Sequence, residues 1–352
     1  MFLHLRPLFC ETFIHALVAA GRLDIAAGEG LDGYTKPVYS TREMTREPSK
    51  SRGKAPRFGG DWTEAKLGVI AKYLRSYTTA LKEQPSKERP FQKAYIDAFA
   101  GTGYREARRD DEGPQTTDLL LPDLAEREPQ ALLDGSARLA LRTEPRFDKY
   151  IFIERSAGRC AHLESLKSEF PALANDIGIR QGEANTEIRK LCRADWTTDR
   201  AVLFLDPFGM QVEWQTLEAV ASTRAIDMWL LFPLGIGVNR LLKKTGDIPA
   251  SWRNRLNILL GTDEWYDEFY RVEKTPTLFG DEQEHVIKTT MDTIGRYFNR
   301  RLKTIFAGVA NEPGVLRNSA NNPLYLLCFA VANQRGTPVT LRIANYLLRD
   351  LR

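Results

Sequence analysis

Four carboxylates in this sequence stand where an apolar run gives out, each beside residues that bend the chain. Asp97 lies in "AYIDAFAGTG", ahead of Gly101 and Gly103. Glu154 ends "KYIFIE", Glu183 follows "IGIRQG", and Asp206 opens "DPFG" directly after "AVLFL". Glycines let a backbone pass close beneath a ligand, and the helix start that follows favours negative charge. An acid at the tip of a second strand is placed to accept hydrogen bonds from ribose hydroxyls. Glu183, in "QGEAN", is placed to reach an adenine amino group. Asp206-Pro207-Phe208-Gly209 offers the most. Its carboxylate accepts a hydrogen bond from an exocyclic amine, its proline fixes the turn, and its phenyl ring gives a planar base a face to stack on.

Each of these residues also has a plainer reading. A glycine turn after a strand is common, and an acid starting a helix favours the helix dipole. A structural turn explains Pro207 and Gly209, but not the aspartate and phenylalanine with them. From Gly103 to Glu154 is well over the roughly 20 residues of the dinucleotide fingerprint, which counts against a nicotinamide site unless residues 104–135 are an insertion. A dehydrogenase reading also lacks a GxGxxG and an obvious catalytic His or Tyr–Lys pair, since His4, His15, His162 and His285 are isolated.

The elements that must position these acids follow from the apolar pattern. Short β-like runs at 94–100, 149–154, 177–184, 201–208 and 227–234 alternate with helical stretches such as "AGRCAHLESLKSEFP" and "EWQTLEAVAST". Continuous apolar runs alternating with helices predict a parallel sheet buried on both faces. Two late runs, 313–318 and 324–333, are close enough to pair antiparallel at an edge. A helix is predicted from Asp61, with Glu64 at capping-box spacing and Leu67, Ile70, Leu74, Tyr77 and Leu81 recurring at helical spacing. Residues 104–135, charged and Pro-rich, read as a loop over the mouth of the sheet, and 235–300 as a helical insertion.

At 352 residues, with 43% hydrophobic and 27% charged content, the chain suits a soluble globular protein. Its 50 Lys and Arg against 46 Asp and Glu leave a net charge of +4, which permits contact with nucleic acid without arguing for it. Arg240, Lys243, Lys244, Arg296, Arg300, Arg301 and Lys303 can hold phosphates, and read equally well as solvated helix faces. Cys10, Cys160, Cys192 and Cys328 form no CxxC or Cys/His cluster, so no zinc or iron–sulfur site is expected and a reduced, cytoplasmic setting is. No apolar stretch reaches the ~20 residues that span a bilayer. Residues 1–57 read as a short amphipathic helix followed by a basic, Pro- and Gly-rich linker.

The ordered set "YIDAFAGTG", "YIFIE", "GEAN" and "LDPFG" resembles the motifs of class I S-adenosylmethionine (SAM)-dependent methyltransferases. With "WTEAKL" before the set and "LYLLCFAVAN" after it, residues 58 to 345 resemble more closely the three-Cys-motif partner (TcmP) family. The resemblance implies a Rossmann-like α/β fold, a mostly parallel seven-stranded sheet with an antiparallel edge, in a domain of residues 58–352. It implies that Asp97, Phe99, Gly101 and Gly103 line the methionine part of SAM, Glu154 the ribose and Glu183 the adenine. Asp206, Pro207, Phe208 and Gly209 would face the acceptor. "DPFG" departs from the (Asp/Asn)-Pro-Pro-(Tyr/Phe) of adenine amino-methyltransferases and looks more like the turn of tRNA guanine-N2 dimethyltransferases. The activity implied is therefore methylation of an exocyclic amine of a base in DNA or RNA. The alternative is an accessory protein of the same fold, working with a three-Cys-motif protein, in mobile-element or phage-related systems.

Overall fold

The computed structural model describes residues 61–83, 91–101, 135–276 and 282–351. These fall within one compact unit, Arg57–Arg352. Residues 1–57, Gly103 and residues 104–134 lie outside the described residues, so the expectations placed on them are not addressed by the structure.

Helix α1 (Asp61–Ala80) precedes strand β1 (Gln92–Asp97). Four more parallel strands follow, each after a helix. They are β2 (Lys149–Glu154) after α2 (Ser136–Leu141), β3 (Ile177–Gln181) after α3 (Ala157–Glu169), β4 (Asp199–Leu205) after α4 (Ala184–Cys192), and β5 (Ile226–Phe232) after α5 (Trp214–Ser222). The strands pair in the order β3-β2-β1-β4-β5, with Asp97 level with Phe204 of β4 and Phe152 of β2. Order reverses between β1 and β4, and the crevice at the carboxyl ends there is where open α/β sheets bind ligands.

Alternation along the strands splits the interior into two apolar layers. Leu203, Leu205, Met228 and Leu230 face Ile188, Leu217, Leu256 and Phe298, while Tyr95, Phe204 and Trp229 face Tyr73, Leu163 and Leu348 on the other side. Burial on both faces is why these strands read as unbroken apolar runs rather than alternating ones. Trp229 is fully buried, its ring 5.1 Å from Tyr73 and 4.8 Å from Phe329. Truncating such a residue costs roughly 3–5 kcal/mol.

After β5 come a π-helical turn (Leu234–Val238), a short helical turn (Asn239–Leu241), α6 (Ala250–Leu260) and α7 (Trp265–Phe269). A hairpin, β6 (Tyr270–Pro276) and β7 (Glu282–Lys288), leads into α8 (Met291–Lys303). The stretch expected to be a helical insertion is thus partly β. Val272, Val286 and Ile287 of the hairpin are exposed, so it lacks the one-sided apolar pattern that marks a strand in sequence.

The chain closes with β8 (Gly308–Val309), β9 (Gly314–Arg317), β10 (Pro323–Val331) and α9 (Thr337–Leu348). Strand β10 runs antiparallel to β5, and β8 and β9 both pair with its far side. Among the described residues the main sheet has eight strands rather than seven, because the outermost position is filled by two short segments. Pro313, between them, has no N–H to donate to a ladder. The β9–β10 pairing is antiparallel, as the sequence suggests, but β10 itself lies one strand in from the edge. Among the described residues no helix is long and apolar enough to cross a membrane, and no cluster of His, Cys, Asp and Glu could hold a metal ion.

Candidate active site

All four strand-tip acids are brought to the carboxyl edge of the sheet, but the fold uses each differently. Asp97, the last residue of β1, is fully buried. Its Oδ1 accepts from the Phe99 amide at 3.2 Å and its Oδ2 from the Tyr95 hydroxyl at 3.4 Å. Burial pushes its carboxyl up to about 7, and the charge of nearby Asp206 adds to the rise, against lowering hydrogen bonds from Ser136, Phe99 and Tyr95. Phe99, half-buried, packs against the apolar layer below.

Gly101 has φ +60, the left-handed region that glycine enters without penalty. Among the described residues a side-chain carbon built there would meet nothing within 4 Å, so toward these the backbone offers an open ledge. Its amide donates to Glu154 Oε2 at 3.1 Å, joining the tips of β1 and β2. Glu154 Oε1 accepts from the Ser156 amide at 2.8 Å and lies 3.1 Å from Arg159 Nε. A carboxylate offers about four lone-pair sites, so Glu154 retains room for one more donor.

Glu183 is the N-cap of α4. It accepts from the Asn185 amide at 2.9 Å, the Thr186 amide at 2.8 Å and the Asn185 side chain at 2.7 Å. Burial works to raise its carboxyl, but these donors outweigh it and hold it below the usual range. The sequence reading gave Glu183 to a ligand; the structure gives it a capping job first. Beside it, the buried Asn185 ties the tip of β3 to the segment after β4, donating to the Gln211 carbonyl at 2.8 Å and accepting from the Glu213 amide at 3.0 Å.

Asp206 stands at the tip of β4, and its Oδ2 lies 2.5 Å from Lys66 Nζ of α1. Lys66 is buried, with its ammonium also 5.1 Å from the Trp62 ring, and Trp62 stacks on Tyr325 at 5.1 Å. Among the described residues Asp206 Oδ1 has no protein donor. Phe208 is 77% exposed, and its amide donates to Gln211 Oε1 at 3.1 Å. Gly209, at φ +78 with open space around it, completes the turn.

Lys66, Trp62, Tyr325 and Asn185 were not singled out as site residues from sequence. Lys66 carried a readable signal: it falls in the buried stripe Thr63, Lys66, Leu67, Ile70, Tyr73, Leu74, where a lysine requires a partner.

The donor set fits SAM. A ligand bearing a sulfonium and an ammonium suits a mouth rich in carboxylates, and the Gly101 ledge leaves room for it. No protein-family model matches the sequence, and no curated protein matches it. Among solved structures, the chain is similar to protein LPL1258 from Legionella pneumophila, at 10% identity over 83% of this chain and 93% of that one, with a TM-score of 0.42. Spermidine synthase in complex with the transition state analogue AdoDATO shares 12% identity over 77% of this chain and 58% of that one, with a TM-score of 0.33. Magnesium protoporphyrin IX methyltransferase from Synechocystis, with bound SAH, shares 12% over 65% and 88%, with a TM-score of 0.26. The fold assignment rests on the strand order instead. Five parallel strands in the order 3-2-1-4-5, continued by a reversed strand and two short outer segments, make this a Rossmann-like, class I methyltransferase fold.

Proposed function

We propose that this chain is a SAM-dependent methyltransferase, and that its acceptor is an exocyclic amine of a nucleobase in DNA or RNA. The observation that carries the reading is Asp206, held by a buried lysine, beside the 77% exposed Phe208 and next to Asp97. When bound, SAM supplies an electrophilic methyl group. Asp206 Oδ1 takes an N–H of the acceptor amine and steadies the positive charge that grows on nitrogen. Lys66 fixes the carboxylate through its other oxygen, and Phe208 stacks on the base, which is flipped out or single-stranded. Much of the rate then comes from alignment. Glu154 takes a ribose hydroxyl on its remaining lone pair, and Asp97 faces the cationic part of the cofactor.

A second reading is favoured by Glu154 and Glu183, whose oxygens already close the chain's own turns. It is an accessory protein of this fold working with a three-Cys-motif partner. Calorimetric titration with SAM and S-adenosylhomocysteine, followed by methyl incorporation into oligonucleotides, separates the two. The enzyme reading expects binding, and turnover lowered by about 100-fold or more in Asp206→Ala, as when a transition-state contact is lost. Absence of SAM binding at millimolar ligand would defeat it.

A further inference from the structure

Of the seven basic residues that sequence offers as phosphate contacts, the structure occupies some and leaves others. Arg300 pairs with Glu268 at 2.9 Å, and Arg301 lies over Trp214 and donates to the Leu260 carbonyl. Arg240, in the short helical turn, and Lys243 and Lys244, in the loop after it, lie exposed, with the Lys243 ammonium 5.6 Å from the Trp252 ring. Lys288, at the foot of the hairpin, joins them: its Nζ donates to the Asn239 carbonyl at 2.7 Å. Burial, and then the charge of Lys244, hold the Lys288 ammonium below the usual lysine range. Among the described residues none of these four cations has a carboxylate partner, and the loop's own acid is the exposed Asp247. Like charges gathered this way repel one another, a cost that an anion lying across them removes.

The cluster is continuous with the acceptor turn. Met210, directly after Asp206–Gly209, packs on Gly237, where an added Cβ would lie 3.0 Å from Met210 Cγ. Two residues beyond Gly237 the chain reaches Asn239 and then Arg240. An exposed ring and a row of cations at one end of a sheet are the two parts of a single-strand site: a stacking face for a base and a positive path for the backbone.

We propose that Arg240, Lys243, Lys244 and Lys288 form a track for the phosphate backbone of a single-stranded nucleic acid, which delivers a base to Phe208. This rests on the base-methylating reading above and adds to it the route of the substrate. The test is fluorescence anisotropy of the full chain with a short labelled single-stranded oligonucleotide, as DNA and as RNA, over a series of salt concentrations. Lys243→Glu/Lys244→Glu weakens binding by about 10-fold or more at low salt, and flattens the dependence of log affinity on log salt by about 1.4, roughly 0.7 per phosphate contact. Arg296→Glu/Lys303→Glu makes the same change of net charge on α8 and shifts affinity by no more than about twofold. Equal effects of the two double variants, or none from the first, overturn the track. So does tighter binding to phosphatidylglycerol vesicles than to the oligonucleotide. The same samples are titrated with S-adenosylhomocysteine. Protein that binds S-adenosylhomocysteine but no oligonucleotide overturns the track alone. Protein that binds oligonucleotide with the expected variant effects, but no S-adenosylhomocysteine, keeps the track and removes the methylating reading.

Discussion

Asp97 and Asp227 are both buried, both sit in a parallel strand, and both are pushed up to about 7, chiefly by burial. Asp97 closes β1 at the carboxyl edge, where Asp206 repels it and hydrogen bonds from Ser136, the Phe99 amide and Tyr95 hold it. Asp227 lies second in β5, at the amino edge, and its Oδ2 accepts from the Tyr73 hydroxyl at 2.6 Å while Arg200 attracts its charge. The same side chain, raised alike by burial, therefore stands at the mouth proposed for the ligand at one edge and in a packing bond at the other. A shifted carboxyl alone does not point to a site; the strand end it occupies separates the two aspartates.

The largest effect that can break this contrast is on cofactor binding. Asp97→Asn keeps the shape and removes the charge, so SAM affinity should fall by about 10- to 100-fold, as for a lost charge-assisted contact. In the unaltered chain SAM affinity should also fall as the pH drops below about 7, where Asp97 takes up a proton. S-adenosylhomocysteine, which lacks the sulfonium charge, should show less of that fall. Matching pH profiles for the two ligands would mean that Asp97 does not face the cation.

Turnover gives the next effect. Lys66→Met preserves most of the buried stem but frees Asp206, so kcat should drop by about 10- to 100-fold. S-adenosylhomocysteine affinity should stay within about threefold, because Lys66 touches the acceptor side only. Equal losses in both would place Lys66 in general stability rather than in aiming the carboxylate.

The smallest effect lies at the other edge and concerns stability. Both carboxyls are raised in the folded chain, so their favourable contribution is complete below the unfolded value of 3.8 and is lost as pH rises through about 7. Asp227→Asn retains an acceptor for Tyr73 without burying a charge. It should raise Tm at pH 8 by about 2–4 °C, raise it less at pH 5, leave it nearly unchanged below about pH 4, and spare SAM binding. A loss of SAM binding in this variant would erase the distinction between the two aspartates.

What sequence revealed and what it hid divide along the range of the interactions. The tips of β1, β2, β3 and β4 were legible because an apolar run and the acid that ends it are neighbours in the chain. The bond from Lys66 to Asp206 spans 140 residues, and only the odd lysine in an apolar stripe hints at it. Glu183 reads as an adenine contact because it ends the third strand run, and two amides within three residues also hold its carboxylate. The hairpin was missed because neither of its faces carries a clear apolar stripe, and β8, two residues long, is too short to show any pattern.

The reversed β10 has a consequence for how the chain is made. Every residue of β5 is buried in the finished sheet, and from Phe232 to Asp227 its outer edge is covered, among the described residues, by residues 326 to 331. A polypeptide emerging from the ribosome must therefore extend by nearly another hundred residues before that edge finds its partner. Until then it presents "IDMWLLF" with an open row of backbone donors and acceptors, a surface prone to pair with other chains. Loss of β10 would leave β1 to β5 intact in sequence and yet expose the outer edge of β5.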